Sequence, residues 1–146
     1  MSRTKRGRGM AASWYGIART ATIDRAGAWA EIDDGGTGKV VTGVTEIGEG
    51  ILTVLAQIAA DEMGIKPQDI TIGDNDTSRS PEAAHAGATR QTYMIGNSVA
   101  LASREARTVL FEEIADHWQV PGEKITAFNG EIWAKNTNLK INMKEA

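Results

Sequence analysis

Residues 40–57 read Val-Val-Thr-Gly-Val-Thr-Glu-Ile-Gly-Glu-Gly-Ile-Leu-Thr-Val-Leu-Ala-Gln. A β-type run passes through Gly48-Glu49-Gly50, and an apolar helical period begins at once. Such a junction predicts free backbone N–H groups and the positive end of a helix dipole at a turn with few side chains. An anionic group such as a phosphate can sit there against backbone. The spacing is neither G-x-G-x-x-G nor a Walker loop, so on spacing alone a glycine turn that only lets the helix pack on a sheet is the simpler reading. A second stretch of the same character is His85-Ala86-Gly87-Ala88-Thr89-Arg90-Gln91. Its small residues expose backbone, Thr89 is placed to cap a helix, and Arg90 adds a fixed positive charge. Two helix N-termini opened in this way can converge on one elongated anion, although ordinary capping explains each of them separately.

Other candidates are weaker. Asp74, Asp76 and Ser78 have oxygen-ligand character, but the glycine and distant Glu of a calcium loop are missing, so a solvated turn is the simpler reading. His85 and His117 stand far apart, and His117 is placed for a charge–dipole contact at a helix end. Glu46 and Glu49 are close carboxylates without signs of a sugar cleft. No G-x-S-x-G nucleophile turn occurs. Arg3, Lys5, Arg6 and Arg8 form a small basic arm without interleaved aromatics, closer to a solvated tail than to a nucleic-acid contact. No catalytic residue and no metal ligand is assigned.

The elements that must carry these residues follow from period and punctuation. Ile51, Leu52, Val54, Leu55, Ile58, Ala59 and Met63 share one helical face, stopped by Gly64 with Pro67 beyond. A longer helix is predicted over roughly Thr89–Trp118, with Ile95, Val99, Ala102, Ala106, Val109, Leu110, Ile114 and Trp118 inward. Trp29–Ile32 and Lys39–Thr45 read as strands joined by Asp33-Asp34-Gly35-Gly36, and Ile70–Ile72 as a short strand before the loop Asp74–Pro81. Lys124–Phe128 and Glu131–Lys135 form a hairpin around Asn129-Gly130. Gly9–Thr22 suggests a strand or extended segment, while Leu139–Ala146 has no evident partner. The fold class is α/β (mixed α+β), with two amphipathic helices packed on a small mixed sheet with hairpins.

Composition narrows the function classes. At 146 residues the chain suits one domain, with 41% hydrophobic and 24% charged residues. Cysteine is absent, which excludes disulfides, thiolate metal sites and cysteine nucleophiles. No apolar run reaches the about 18–20 residues of a membrane span, and the start lacks a secretory pattern. A net charge of −3 argues against a nucleic-acid partner, so a cytoplasmic protein is expected. Sixteen glycines exceed the usual share of about 7%, without period or low complexity.

Thr42-Gly43-Val44-Thr45-Glu46-Ile47-Gly48-Glu49-Gly50 with Leu55–Ala59, then Asp76-Thr77, Pro81, Gly87–Tyr93 and Gly96-Asn97, resembles the molybdenum hydroxylases, the family of xanthine dehydrogenase and aldehyde oxidase. The opening Gly7–Ala11 and Trp14–Ile17 also fits, so the likeness is collinear over residues 7–145. The resemblance implies a basic flexible arm (residues 1–8) followed by a partial molybdopterin-binding domain (9–146), an internal piece of a longer subunit. It implies a molybdenum–pyranopterin, often extended as a cytosine dinucleotide, lined by Gly48, Glu49, Gly50, Ala88, Thr89, Arg90 and Gln91. Hydroxylation of N-heterocycles or aldehydes with water-derived oxygen would follow, with 2Fe-2S and FAD on partner domains or subunits. Partners would be the remainder of the subunit and the iron–sulfur and FAD subunits.

Glu49 stands where the family usually has Gln. The family's glycine-flanked general-base glutamate is absent, so the chain is expected to be incompetent alone. A truncated inactive remnant and a small phosphate-binding module remain alternatives. A piece cut from a larger domain should expose an apolar patch on the second helix or near Thr45.

Overall fold

The computed structural model describes residues 4–19, 23–73 and 76–146. Arg3 of the basic arm, Asp74 of the acidic turn and part of the Gly9–Thr22 segment lie outside the described residues. Strand β1 (Trp29–Ile32) pairs antiparallel with β2 (Gly38–Val41), and Asp33 closes the turn between them. Its Oδ1 accepts from the N–H groups of Gly35 and Thr37, both at 2.9 Å. The chain then crosses through helix α1 (Ile51–Met63) to β3 (Ile70–Ile72), which lies parallel to β2. The parallel pairing needs that crossover, because a two-residue turn cannot join parallel strands.

Helix α2 (Gly96–Trp118) follows a π-helical turn at Gln91–Ile95 and packs across α1 and β1. A second sheet, β4 (Ile125–Phe128), β5 (Glu131–Ala134) and β6 (Lys140–Asn142), is antiparallel throughout. Ile51, Leu55, Ala59 and Met63 are the buried row of α1, one turn apart, and meet Val40, Val44, Ile95 and Val99 in the core. Gly64 ends α1 at φ 76, with its N–H donated to Ala60 O. Gly38 leaves the space that Met63 Sδ and Ile70 Cδ1 occupy.

The elements match the sequence reading, with several corrections. Leu139–Ala146 does have a partner: β6 pairs with β5, Ile132 opposite Ile141, and Met143 is buried. A three-residue strand after a loop without a hairpin dipeptide gives too little periodic signal to be read. The strand expected over Lys39–Thr45 ends at Val41. Beyond it the Thr42 hydroxyl donates to Gly27 O and Gly43 N–H to Pro81 O, so pairing is replaced by contacts to two passing segments. The second helix starts later than Thr89, since Ala88 and Thr89 are left-handed, at φ 47 and 59. Val109, expected inside, is 62% exposed, while Ser103 and Ala115 are buried. Val109 is one residue from the inward Leu110 and so turned about 100° away from it. Among the described residues Gly9–Arg19 forms no strand, and no helix is long and apolar enough to cross a membrane.

Candidate functional site

The turn before α1 is built on two left-handed glycines, Gly48 at φ 100 and Gly50 at φ 81. A Cβ at either position would meet nothing within 4 Å, so both are required by backbone conformation and not by crowding. Gly50 is the N-cap of α1 and has no side chain to satisfy the helix's first N–H groups. Glu46 does so instead. Its Oε1 accepts from Gly48 N at 2.7 Å and Gly50 N at 3.0 Å, and its Oε2 accepts from Leu52 N at 3.3 Å. These bonds, led by that of Gly50, hold the Glu46 carboxyl below its ordinary value of 4.5 against the opposing effect of desolvation. The expectation of free N–H groups at this turn is therefore corrected: the chain places its own anion on them.

Glu49 points elsewhere. Its Oε2 accepts from Ile47 N at 2.9 Å, and its Oε1 accepts from Gln91 Nε2 at 2.8 Å. Gln91, only 7% exposed, takes Thr45 N–H on its own Oε1 at 3.3 Å. One amide side chain thus joins the turn at residues 45–50 to the start of the second helical segment. The two stretches that the sequence singled out do converge.

Arg90 is turned inward. It is fully buried, and its Nε donates to Asp24 Oδ1 and Oδ2 at 2.7 and 2.9 Å. Nη2 lies 2.6 Å from Asp24 Oδ1 and also donates to Arg25 O, while Nη1 donates to Ala83 O and, at 3.5 Å, to His85 O. The guanidinium holds Asp24 below its ordinary value of 3.8. The fixed positive charge expected to serve an anion is instead paired with Asp24, and its other donors are taken by carbonyls. Thr89 is no side-chain cap either: at φ 59 it turns the chain, and Arg90 N–H donates to Gly87 O at 2.8 Å. Ala84 (φ 52), Ala88 (φ 47) and β-branched Thr89 are all left-handed without being glycine. Such residues cost about 1–3 kcal/mol each and persist only where their surroundings over-determine them.

Between Gly43, Thr45, Ser80, Pro81 and Ala84 lies an open cleft of about 490 Å³, within the range of small-molecule sites. Gly43 forms part of its floor, where a Cβ would come 2.9 Å from Pro81 O. No group of three or more His, Asp or Glu gathers for a metal among the described residues. The cleft is lined by backbone, hydroxyls and small side chains, with Glu82 as its one charged residue. The secondary candidates do not assemble: Asp76 Oδ1 is taken by Ser78 N and Oγ at 2.9 and 2.7 Å, and His117 sits exposed in the last turn of α2. Sequence reading missed Asp24, which is 66 positions from its partner and carries no local signal. It noted Glu46 as one of a carboxylate pair and within the family-like run, not as the cap of α1.

The family model for the molybdopterin cofactor-binding domain matches residues 1–146. The gamma subunit of the 6-hydroxypseudooxynicotine dehydrogenase complex of Paenarthrobacter nicotinovorans is 29% identical over 119 residues, 79% of this chain and 14% of that protein. The xanthine dehydrogenase molybdenum-binding subunit of Escherichia coli O157:H7 is 36% identical over 96 residues, 65% of this chain and 12% of that protein. Among solved structures, quinoline 2-oxidoreductase from Pseudomonas putida 86 superposes with a TM-score of 0.78 at 26% identity. It covers 86% of this chain and 16% of its own. Reconstituted CO dehydrogenase from Oligotropha carboxidovorans gives 0.74 at 25% identity, over 83% of this chain and 15% of its own. The chain therefore spans well under a fifth of the length of these proteins.

Proposed function

The chain belongs to the molybdopterin cofactor-binding domain family, and from that premise we propose that it holds a molybdenum–pyranopterin as one part of a larger xanthine dehydrogenase-like hydroxylase. Gly48, Glu49, Gly50, Ala88, Thr89, Arg90 and Gln91 are the segments that line the group, in its plain or cytosine dinucleotide form. The observation that carries this reading is the Gln91 bridge, which brings Glu49 and Thr45 of one segment against the head of the other, beside the open cleft. When bound, the group supplies the oxidation that places a water-derived oxygen on an N-heterocycle or aldehyde. Iron–sulfur and flavin groups on partner chains would accept the electrons.

This chain's residues shape and orient. Gly48 and Gly50 give the turn its left-handed backbone, on which the Glu46 carboxylate rests, Ala88 and Thr89 present backbone, and Arg90 contributes by fixing the loop. Glu49, tied to Ile47 and Gln91, keeps its carboxylate engaged within the protein. The remainder of the subunit supplies the other walls and the general base, so the chain is inactive alone. Because Glu46 already occupies the α1 N-terminus, a phosphate, free or on the cofactor, is not held by these N–H groups.

The test is molybdenum per chain by elemental mass spectrometry on material purified from its source. Near-stoichiometric molybdenum in a larger complex is expected. A free 15.6 kDa chain without metal would sink the reading. Glu49→Gln then asks whether the carboxylate matters. It installs the residue usual in the family and removes a negative charge from the lining, so cofactor retention should be kept or rise although one of the bonds to Ile47 N and Gln91 is lost.

A further inference from the structure

We propose that Asp24 is a positioning residue for the cofactor-lining loop, acting through Arg90; the inference rests on the cofactor reading above. Three observations converge on it. The first is that the loop leading into the π-helical turn holds Ala84, Ala88 and Thr89 at positive φ, a conformation that L-residues leave unless they are held. Next, the holder is visible: the buried Arg90 guanidinium donates to Ala83 O and His85 O, on the near side of the loop, from a position just past its end. Finally, that guanidinium is aimed by Asp24, whose two oxygens accept from Nε at 2.7 and 2.9 Å. The same segment takes Nη2 on Arg25 O and donates Ala18 N–H to Ala88 O at 3.0 Å.

A guanidinium has five N–H donors in a planar fork, so fixing one edge on a carboxylate fixes where the remaining donors point. Without the Asp24 charge the fork is buried and uncompensated, and the strained loop is released toward ordinary backbone angles. The neighbouring Gln91 would then deliver the turn at residues 45–50 to a displaced partner. Asp24 touches no part of the cleft itself. It acts only through the shape of residues 84–91.

The experiment places Asp24→Asn, and Asp24→Asn with Ala88→Gly, in the assembly purified from its source. Molybdenum per chain and amide hydrogen exchange are both read. D24N is expected to speed exchange over residues 84–91 by about tenfold or more while α1 stays as in wild type. Molybdenum content should fall with it. A88G is expected to restore much of both, because glycine takes the left-handed conformation without strain. Should D24N not fold, Asp24→Glu keeps the charge and moves the carboxyl by one methylene, and must still speed exchange in the loop selectively.

Unchanged exchange over 84–91 overturns the inference. So does an equal rise in α1, which would make Asp24 a general stabiliser, and so does loosened exchange with full molybdenum. Wild-type material without molybdenum overturns the cofactor reading together with this one, whereas a loaded wild type with an indifferent D24N overturns this one alone.

Discussion

Gly50 caps helix α1 with no side chain, and the Glu46 carboxylate four residues earlier meets the N–H groups left over. Because these bonds lower the Glu46 pKa, its stabilisation is fully present above the ordinary value of 4.5 and is lost as pH falls through the lowered one. Asp24, Asp33 and Asp76 shift the same way, held first by Arg90, by the Thr37 hydroxyl and by Ser78 N–H respectively. Thermal melts should therefore be flat between about pH 7 and 5 and fall below about pH 4. Glu46→Gln should lower Tm at neutral pH and shallow the acid fall without abolishing it; parallel wild-type and variant curves would refute the capping role. Ser103 makes the opposite case. Its buried Oγ has no hydrogen-bond partner among the described residues. Ser103→Ala should be neutral or stabilising by up to about 1 kcal/mol in a urea titration.

At the scale of elements, helix ends decide how the two sheets meet. Gly64 closes α1 in the left-handed conformation, and its carbonyl accepts Gly130 N–H at 2.8 Å from the β4–β5 turn. A Cβ at Gly64 would lie 2.6 Å from the Ala127 Cβ and 2.8 Å from Ala127 backbone. Gly64→Ala thus combines a left-handed penalty with a clash against a sheet. It should cost about 2 kcal/mol or more, read as a fall in the denaturation midpoint at constant slope. The β4–β5 turn itself, Asn129 at φ 53 and Gly130 at φ 82, is the mirror-image turn that hairpin twist favours. On the other side Gly36, at φ 67, lets the Met143–Lys144 backbone approach, so the C-terminal segment touches both sheets.

For the molecule as a whole, large apolar side chains are exposed on several elements, the N-terminal segment most fully. Met10, Trp14 and Tyr15 are 100%, 98% and 82% exposed along one extended segment. Ile47 follows Thr45 on the surface, and Leu101 and Val109 face outward from α2. If the chain works within a larger hydroxylase, as proposed above, such groups should be covered in the assembly. Trp14 reports on this directly. Acrylamide should quench a large fluorescence fraction in the isolated chain, a fraction removed by Trp14→Phe and protected in the assembly purified from source. Equal quenching of Trp14 in both would count against a covering partner.

The sequence determined whatever depends on neighbours a few residues apart. The apolar period fixed Ile51–Met63 and its stop at Gly64, and Asn129-Gly130 fixed a hairpin. The collinear run from Thr42 to Asn97 pointed to the molybdopterin-binding family, which the family match bears out. Local pattern also marked the two loops that converge. It could not say how their polar groups are used, because that depends on which distant groups compete for the same donors. Only the tertiary structure set Asp24 on Arg90, Glu46 on the α1 N-terminus and Gln91 between Glu49 and Thr45. It likewise paired β6 with β5 and turned Val109 outward. A buried donor takes whichever acceptor the fold brings within about 3 Å, and that choice is made in space, not along the chain.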